Sequence, residues 1–155
     1  MEEVIHPYFL KQFNSRWFVL GYNSKYEAIT NFALDRIISI EKASQKYISN
    51  TKYNFNEYFD KVIGVTIEEG EPEEILIEVE AAEYPYVASK PMHHTQKQVG
   101  CSENGNPIIS LKVIPNFELR QAILGYGQRM TVLAPEQLRE AIKNELMVCI
   151  NHYQK

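Results

Sequence analysis

The sequence lacks the features that identify membrane proteins, disulfide-rich domains and the common nucleotide-binding enzymes. No apolar run approaches the roughly 18–20 residues that span a bilayer, and the first ten residues carry two glutamates but no lysine or arginine, unlike a signal peptide. The two cysteines, Cys101 and Cys149, form no CxxC pair, so a reducing cytoplasm is the expected location. Neither GxxxxGK[ST] nor GxGxxG occurs, which excludes the two best-known phosphate loops.

Motifs for catalysis and metal binding are equally scarce. The sequence has no GxSxG nucleophile elbow, and its one cluster of ligand-type side chains, His93-His94 with Cys101, has a spacing that resembles no zinc site. Cys149 falls on an apolar helical stripe, where we expect a buried thiol. We therefore predict no cofactor, no metal and no enzymatic activity. An enzyme would be favoured if His93 or His94 converged with a carboxylate in a deep pocket.

Negative charge is concentrated in one strip of the chain. The 155 residues carry a net charge of −4, yet residues 67–83 hold eight glutamates and no lysine or arginine, while both flanking stretches are mildly basic. This strip, with Gly70 and Pro72, is the best candidate for a boundary between two domains, which are predicted at residues 1–70 and 71–155. Its glutamates are expected to form a solvated face, so the remaining positive excess is compatible with an anionic ligand.

The first half of the chain has the pattern of a small antiparallel barrel. Short polar turns separate three runs of β-forming residues, 6–11, 16–22 and 28–40. Residues 62–67 are a candidate closing strand, and Asn54 is a good cap for one helical turn before it. Because a meander of this size tends to curl, we expect a barrel.

The second half alternates strands and helices. Strands are expected at 75–81, 108–114 and 130–133, helices at 117–126 and 136–153, and a short or interrupted helix within 83–99. The resulting order β-α-β-α-β-α predicts a compact sheet with helices on one face. The chain as a whole is therefore assigned to the α+β class.

A basic and aromatic surface is the strongest candidate for a binding site. Period two places Arg16, Phe18 and Tyr22 on one face of the second strand, and Phe32 and Arg36 on one face of the third. If those faces meet, the rings can stack nucleobases and the arginines can bind phosphate. The alternative is that both phenylalanines are core residues and that Arg36 pairs with a neighbouring carboxylate, Asp35 or Glu41.

Several short motifs resemble those of the WYL domain. Residues 16–22 (RWFVLGY) are similar to its R-W-Y-L-x-G/A-Y strand, 32–37 (FALDRI) to its F-R-L-D-R-I signature, 6–10 (HPYFL) to its first strand and 59–65 (FDKVIGV) to its end. The second half resembles the WCX extension of the same proteins at 90–96 (KPMHHTQ), 117–127 and 132–139. These motifs cover nearly the whole chain in the right order.

The resemblance implies a fold and a function. WYL proteins are mostly bacterial transcription regulators with an N-terminal helix-turn-helix, so a DNA-binding domain of this kind is expected upstream in the full-length protein. The WYL part is an Sm-like, SH3-type β-barrel that senses single-stranded nucleic acid or a nucleotide-like effector. The WCX part has a ferredoxin-like α+β fold that supports dimerisation, so a homodimer is expected. No interaction with a membrane is expected.

Eight residues are assigned to ligand binding on these grounds. Arg16 and Arg36 are expected to contact the anion, Phe18 and Tyr22 to form a stacking surface, His6 and Tyr8 to donate hydrogen bonds from the rim, and Trp17 and Phe32 to complete the set. The sequence departs from the family pattern at Phe18, where the motif has tyrosine, and at Ala33, where it has arginine. These departures favour the alternative, a dimerisation or protein-interaction module without a small ligand.

Overall fold

The computed structural model describes residues 2–66 and 68–154, which form two compact units. The first unit comprises the described residues up to 60 together with 64–66, and the second comprises 61–63 together with 68–154. Within these described ranges, no helix is both long enough and apolar enough to cross a membrane.

The first unit is built on a three-stranded antiparallel sheet. Strands β1 (His6–Phe13), β2 (Arg16–Asn23) and β3 (Ala28–Ala33) lie in the order β1-β2-β3. The turn Asn14-Ser15 has positive φ at both residues, as two-residue hairpins require. One turn of 3-10 helix, Leu34–Arg36, follows β3, and a short helix α1 (Phe55–Phe59) follows a long polar loop.

One face of this sheet is covered by α1 and by the segment that follows it. Leu20 of β2 is fully buried, and the ring of Phe9 stacks on Phe55 with centroids 5.2 Å apart. The side-chain amide of Asn31 on β3 donates a hydrogen bond to the carbonyl of Val65 at 3.2 Å. These contacts make this face the core of the first unit.

Gly21 lets the backbones of β1 and β2 approach closely. It lies opposite Pro7, and a Cβ atom added to it would lie 2.6 Å from the carbonyl oxygen of His6 and 3.0 Å from Pro7 Cα. Both neighbours are backbone atoms, which cannot move aside without shifting the strand. The position therefore excludes every residue larger than glycine from the observed pairing.

The second unit is a four-stranded antiparallel sheet with three helices. Its elements are β4 (Glu73–Val79), α2 (Tyr84–Ser89), β5 (Lys97–Cys101), β6 (Pro107–Val113), α3 (Phe117–Tyr126), β7 (Met130–Ala134) and α4 (Glu136–Tyr153). The strands lie in the order β5-β6-β4-β7. Up to β7 this β-α-β-β-α-β order is that of ferredoxin-like domains, and α4 is added to it.

Alternation along β4 decides which side of this sheet is buried. Ile75, Ile77 and Val79 are completely buried, whereas Leu76 and Glu78 between them are partly exposed. The helices add the apolar core residues Val87, Leu119, Ile123, Leu138 and Ile142, and strands β6 and β7 add Ile109, Leu111, Val113, Met130 and Val132.

Side-chain hydrogen bonds hold the connections of the second unit. Gln96 donates to the carbonyl of Val87 at 2.9 Å and accepts from the N–H of Met92 at 2.9 Å, and so fixes the end of α2. Asn116 is fully buried, accepts from the backbone N–H of Leu119 as the cap of α3, and donates to the carbonyl of Ile63 at 2.7 Å. Because each amide serves two backbone groups, neither can be lost without leaving buried polar atoms unpaired.

The α+β class is confirmed, together with several predicted elements. Helices form at 117–126 and 136–153 as expected, and Asn54 caps α1 by accepting from the N–H of Glu57. Two antiparallel sheets, of three and four strands, account for the β structure of the described residues.

Two predictions about the first unit are wrong. Strand β3 ends at Ala33 and not at Ile40: Ala33 pairs with Phe18, only Trp17 and Arg16 of β2 remain beyond that pair, and the chain leaves the sheet in the 3-10 turn Leu34–Arg36. The described residues 62–66 form no closing strand, although Val62 and Val65 are buried, and residue 67 lies outside the described residues. Across the described part of the chain this sheet is therefore open and does not close into a barrel.

Two predictions about the second unit also fail. The order expected from sequence omitted β5, whose residues are all exposed and so lack the alternation of a half-buried strand. Cys149 is exposed and is not a core thiol. The reason is that only the first half of α4 is packed: Leu138 and Ile142 are buried, whereas Ile150 is 54% exposed.

Replacing Gly21 with alanine should destabilise the protein by about 1–3 kcal/mol, because the added methyl group overlaps the backbone of β1. Chemical denaturation followed by circular dichroism measures this loss. Gly125→Ala is the matched control, since nothing lies within 4 Å of a Cβ there and the residue is inside α3. The control should be neutral or more stable by up to about 1 kcal/mol. Equal unfolding midpoints for the two variants would contradict the close approach.

Candidate ligand-binding surface

A small open pocket lies where β3 ends and the 3-10 turn begins. Its volume is about 210 Å³, and its walls are Phe18, Asn31, Phe32, Ala33, Arg36 and Ile37. The pocket exists because the chain turns away from β2 after Ala33, which carries Arg36 to the edge of the sheet beside Phe18. We call these six residues the arginine pocket.

The two arginines of the first unit have different surroundings. Arg16 Nε lies 3.1 Å from a carboxylate oxygen of Asp35, and both side chains are about half exposed. Within residues 2–66 and 68–154, no carboxylate lies at ion-pair distance from the exposed Arg36. Of these two arginines, Arg36 is therefore the one without a carboxylate partner among the described residues, because Asp35 pairs with Arg16 and not with Arg36.

The strand register separates residues that the sequence placed together. Phe32 lies opposite Val19, and Phe18 lies opposite Ala33, so the two phenylalanine side chains belong to opposite faces of the sheet. Trp17 shares the face of Phe32 and is 49% exposed. Arg36 is not on a strand at all, since it belongs to the 3-10 turn. The expected single face of Arg16, Phe18, Tyr22, Phe32 and Arg36 is therefore not formed.

His6, Tyr8 and Tyr22 lie at the other end of the sheet, in a cluster of rings. The ring centroid of His6 is 6.2 Å from that of Tyr22 and 5.8 Å from that of Tyr47, and Tyr8 is 6.3 Å from Tyr47. Tyr53 joins this tyrosine cluster through Phe55. Burial is the main cause that raises the pKa of Tyr8, and the phenols of Tyr47, Tyr22 and Tyr53 add to it. At neutral pH the hydroxyl of Tyr8 is protonated in any case, because an ordinary phenol titrates near 10.

Both ring nitrogens of His6 are engaged inside the protein. Nδ1 accepts the backbone N–H of Ile48 at 3.1 Å, so the proton is on Nε2, which lies 3.3 Å from Ser24 Oγ. The side chain is 5% exposed. His6 thus holds the long loop against β1, together with the hydroxyl of Tyr47, which donates to the carbonyl of Pro7 at 3.0 Å.

Sequence reasoning missed several residues of these two places. Asn31, Ala33 and Ile37 line the arginine pocket, and Tyr47 and Tyr53 belong to the tyrosine cluster. The signal for Tyr47 and Tyr53 was the Tyr- and Asn-rich composition of 41–61, which does not show where a loop folds back. Lys52 stands over the ring of Tyr53 at 5.4 Å and adds a cation to that cluster.

A second concavity of similar size is less suited to an anion. It lies beside the β2–β3 turn, and its lining includes Glu2, Glu3, Asn23 and Lys25. The carboxylate of Glu3 accepts from the amide of Asn23 at 3.0 Å, from Lys25 Nζ at 3.4 Å and from the hydroxyl of Tyr26 at 3.2 Å. The Asn23 hydrogen bond is the largest influence and, with Lys25 and Tyr26, lowers the pKa of Glu3. The local cation is thus already paired.

The histidine pair in the second unit shows no site geometry. The rings of His93 and His94 lie 4.2 Å apart, and Nδ1 of the largely buried His93 lies 2.8 Å from Thr95 Oγ1. No group of three or more histidine, cysteine or acidic side chains that could hold a metal ion occurs among the described residues. The Thr95 hydroxyl also accepts the N–H of Lys112, so this motif ties a connection to β6.

Comparison with known proteins gives two matches to family models. A model described as "WYL domain" matches residues 1–42, and a model described as "WCX domain" matches residues 71–147. No curated protein matches the chain. Among solved structures, the chain is similar to "Proteasome accessory factor B/C (PafBC) of Arthrobacter aurescens", with 16% identity over 89% of the chain and a TM-score of 0.40. The matched region spans 21% of that protein.

Glu3→Gln should lower the melting temperature at pH 7, and the difference from wild type should shrink in acid. Because the folded-state pKa of Glu3 is lowered, its carboxylate stabilises the fold above the ordinary glutamate pKa of about 4.3 and loses this effect as the pH falls through the folded value. Thermal scans between neutral and acidic pH measure the difference. Glu103→Gln, at an exposed turn, is the control and should follow wild type. A difference that persists unchanged in acid would contradict this role of the charge.

Proposed function

Because the chain belongs to the proteins that combine a WYL domain with a WCX domain, we propose that it is the effector-sensing region of a bacterial, cytoplasmic transcription regulator. On this proposal the sensor does no chemistry of its own, and a DNA-binding helix-turn-helix domain precedes it in the full-length protein. We place the domain boundary at residue 70, in the glutamate strip, and regard the open first sheet as a derivative of the Sm-like, SH3-type barrel.

The proposed ligand is anionic and resembles a nucleotide or a single strand of nucleic acid. The observation that carries this proposal is that Arg36, without a carboxylate partner among the described residues, stands beside the ring of Phe18 in the arginine pocket. Guanidinium binds phosphate through paired hydrogen bonds, and an aromatic ring offers a face to a base. One pocket thus offers both contacts that a nucleotide needs.

The size of the pocket favours part of a polymer over a large enclosed effector. Its volume of about 210 Å³ is below the ~300–1,000 Å³ of typical small-molecule sites. Such a space holds part of a nucleotide, such as its phosphate with one edge of the base, while the rest of the ligand runs over the surface. For that reason we favour single-stranded nucleic acid as the ligand and a free nucleotide as its smallest form.

The other assigned residues have subordinate roles in this proposal. Arg16 contacts the ligand only after exchanging Asp35 for a phosphate, so its contribution is smaller than that of Arg36. Trp17 lies on the opposite face of the sheet from Phe18, together with Phe32, which also lines the arginine pocket. His6, Tyr8 and Tyr22 belong to the tyrosine cluster at the far end of β2. Apart from His6, which is 5% exposed and engages both ring nitrogens inside the protein, these residues act as secondary contacts for a long strand.

A homodimerisation or protein-interaction module without a small ligand is the second candidate. The Arg16–Asp35 ion pair favours it, because one of the two expected anion contacts is already satisfied inside the protein. The exposed apolar residues on the second half of α4, among them Met147, Val148 and Ile150, also favour association. Oligonucleotide binding separates the two candidates.

Arg36→Ala should weaken binding of a fluorescein-labelled oligothymidylate of about ten nucleotides roughly tenfold at low salt, because a charge-assisted contact to phosphate is lost. Fluorescence anisotropy measures the affinity. Arg16→Ala should have a smaller effect, since its cation is shared with Asp35. Both effects should diminish as the salt concentration rises.

Arg129→Ala is the control for net charge in this titration. It removes one cation from the second unit, where Arg129 pairs with Glu83, and should leave the affinity unchanged. Equal losses for Arg36→Ala and Arg129→Ala would mean that overall charge and not the arginine pocket holds the strand. No binding by wild type at low salt would reject the nucleic-acid ligand.

A further inference from the structure

Residues 62–65 form a buried segment of irregular backbone. Val62, Ile63 and Val65 are 3%, 6% and 3% exposed, and none of the four residues belongs to a strand or a helix. Buried backbone polar groups need hydrogen-bond partners, and a segment outside helices and sheets finds many of them on side chains. The side chains that bind this segment therefore help to fix its position.

Two asparagine side chains bind carbonyl groups of the segment, one within each unit of the fold. In the first unit, Asn31 Nδ2 donates to the carbonyl of Val65 at 3.2 Å. In the second unit, Asn116 Nδ2 donates to the carbonyl of Ile63 at 2.7 Å. Only Gly64 lies between the two accepting residues, so three consecutive residues carry one anchor from each unit.

Each of these asparagines has a second contact that matters for function. The half-buried Asn31 is one wall of the arginine pocket. The fully buried Asn116 accepts the N–H of Leu119 through Oδ1 at 3.0 Å and so caps helix α3. One amide therefore belongs to the proposed ligand site, and the other sets the start of a helix.

We propose that Asn31 is a positioning residue that couples an anion bound in the arginine pocket to the first turn of helix α3. The coupling rests on the proposed function and adds to it a response of the second unit when the pocket is occupied. Its carriers are the two asparagine amides and the three residues that join them.

The first step is a competition for the amide of Asn31. Its bond to the carbonyl of Val65, at 3.2 Å, is at the long end of the range for N–H···O bonds, and both groups are neutral. A phosphate oxygen is charged and forms hydrogen bonds roughly twice as strong. A phosphate held by Arg36 therefore draws the amide toward itself and weakens the bond to Val65.

The second step passes through the backbone to the cap of α3. Protein interiors are close-packed, so the buried residues of the segment shift together when the carbonyl of Val65 loses its hold on Asn31. Asn116 binds Ile63 through Nδ2 and Leu119 through Oδ1, which are two ends of one rigid amide group. A shift of Ile63 thus lengthens the cap bond to Leu119 and loosens the first turn of α3.

Hydrogen exchange of the Leu119 amide, followed by NMR, measures this response in the whole chain. Occupying the arginine pocket with the oligothymidylate at low salt should speed the exchange about fivefold, the worth of one N-cap bond. The amide of Arg139, which bonds the carbonyl of Pro135 at the start of α4, is the reference and should not change. Unchanged exchange at Leu119 in a chain that binds the strand would overturn the coupling.

Asn31→Ala separates coupling from binding, because Arg36 and Phe18 stay in place. Its affinity for the strand should change no more than about threefold, since the lost donor to phosphate is offset by a Val65 bond that no longer has to be weakened. The Leu119 amide should exchange equally fast with and without the strand. A response of wild-type size in this variant would show that Asn31 has a merely structural role and reject the proposal.

Thr30→Ala is the matched control, since its hydroxyl also donates to a backbone carbonyl, that of Gly21 at 3.4 Å, and Thr30 does not line the pocket. This variant should keep the fivefold response of wild type. Loss of the response here as well would assign it to the stability of β3 and overturn the role of Asn31.

A measurement without ligand separates the coupling from the proposed function. Asn31→Ala lacks the bond to Val65 at all times, so its Leu119 amide should exchange about fivefold faster than that of wild type with no strand present. Such a difference in a protein that binds no oligothymidylate would reject the ligand and keep the link between Asn31 and α3. Normal binding without that difference would reject the link and keep the proposed function.

Discussion

The length of strand β2 is the constraint on which the first unit depends. β2 bonds β1 on one side and β3 on the other, and it begins at Arg16, two residues before Phe18 pairs with the last residue of β3. Beyond that pair only Trp17 and Arg16 of β2 remain, so β3 could gain at most two residues, and the chain turns instead through Leu34–Arg36. That turn puts Arg36 beside Phe18 and leaves Ile38 and Ile40 in solvent. The pocket and the exposure of these two isoleucines thus have one physical origin.

Backbone pairing also decides which side chains share a face. Gly21 admits the backbone of β1 within 2.6 Å of where a Cβ would stand, which holds the register against Pro7. With that register set, Leu20 enters the core, and Trp17 and Phe32 lie on the opposite face. A shift of one residue would exchange the two faces. The divided aromatic surface is therefore a consequence of backbone geometry and not of the side chains themselves.

The glutamate strip has a structural role in the second unit. Glu78 on β4 accepts hydrogen bonds from Ser102 and from the amide of Asn106, and Glu74 accepts from the hydroxyl of Ser110. These carboxylates thus bind neighbouring turns and strands and do not gather around a shared ligand. These glutamates therefore have a structural role, although they dominate the net charge. The proposed anion contact is made by a different group, the guanidinium of Arg36.

The sequence alone determined the local features, because these depend on neighbours a few residues apart. Three such features were predicted from the sequence: the helix caps Asn54 and Asn116, the alternation along β4, and the order of the WYL and WCX motifs. Tertiary structure decided which partner each group receives. In the structure β3 ends at Ala33, and the wholly exposed β5 joins the second sheet. Asp35 pairs with Arg16, and Cys149 is exposed to solvent. Strand ends, ion pairs and burial depend on residues that are distant in sequence. They could not be predicted here because hydrophobic periodicity does not show where those distant residues lie in space.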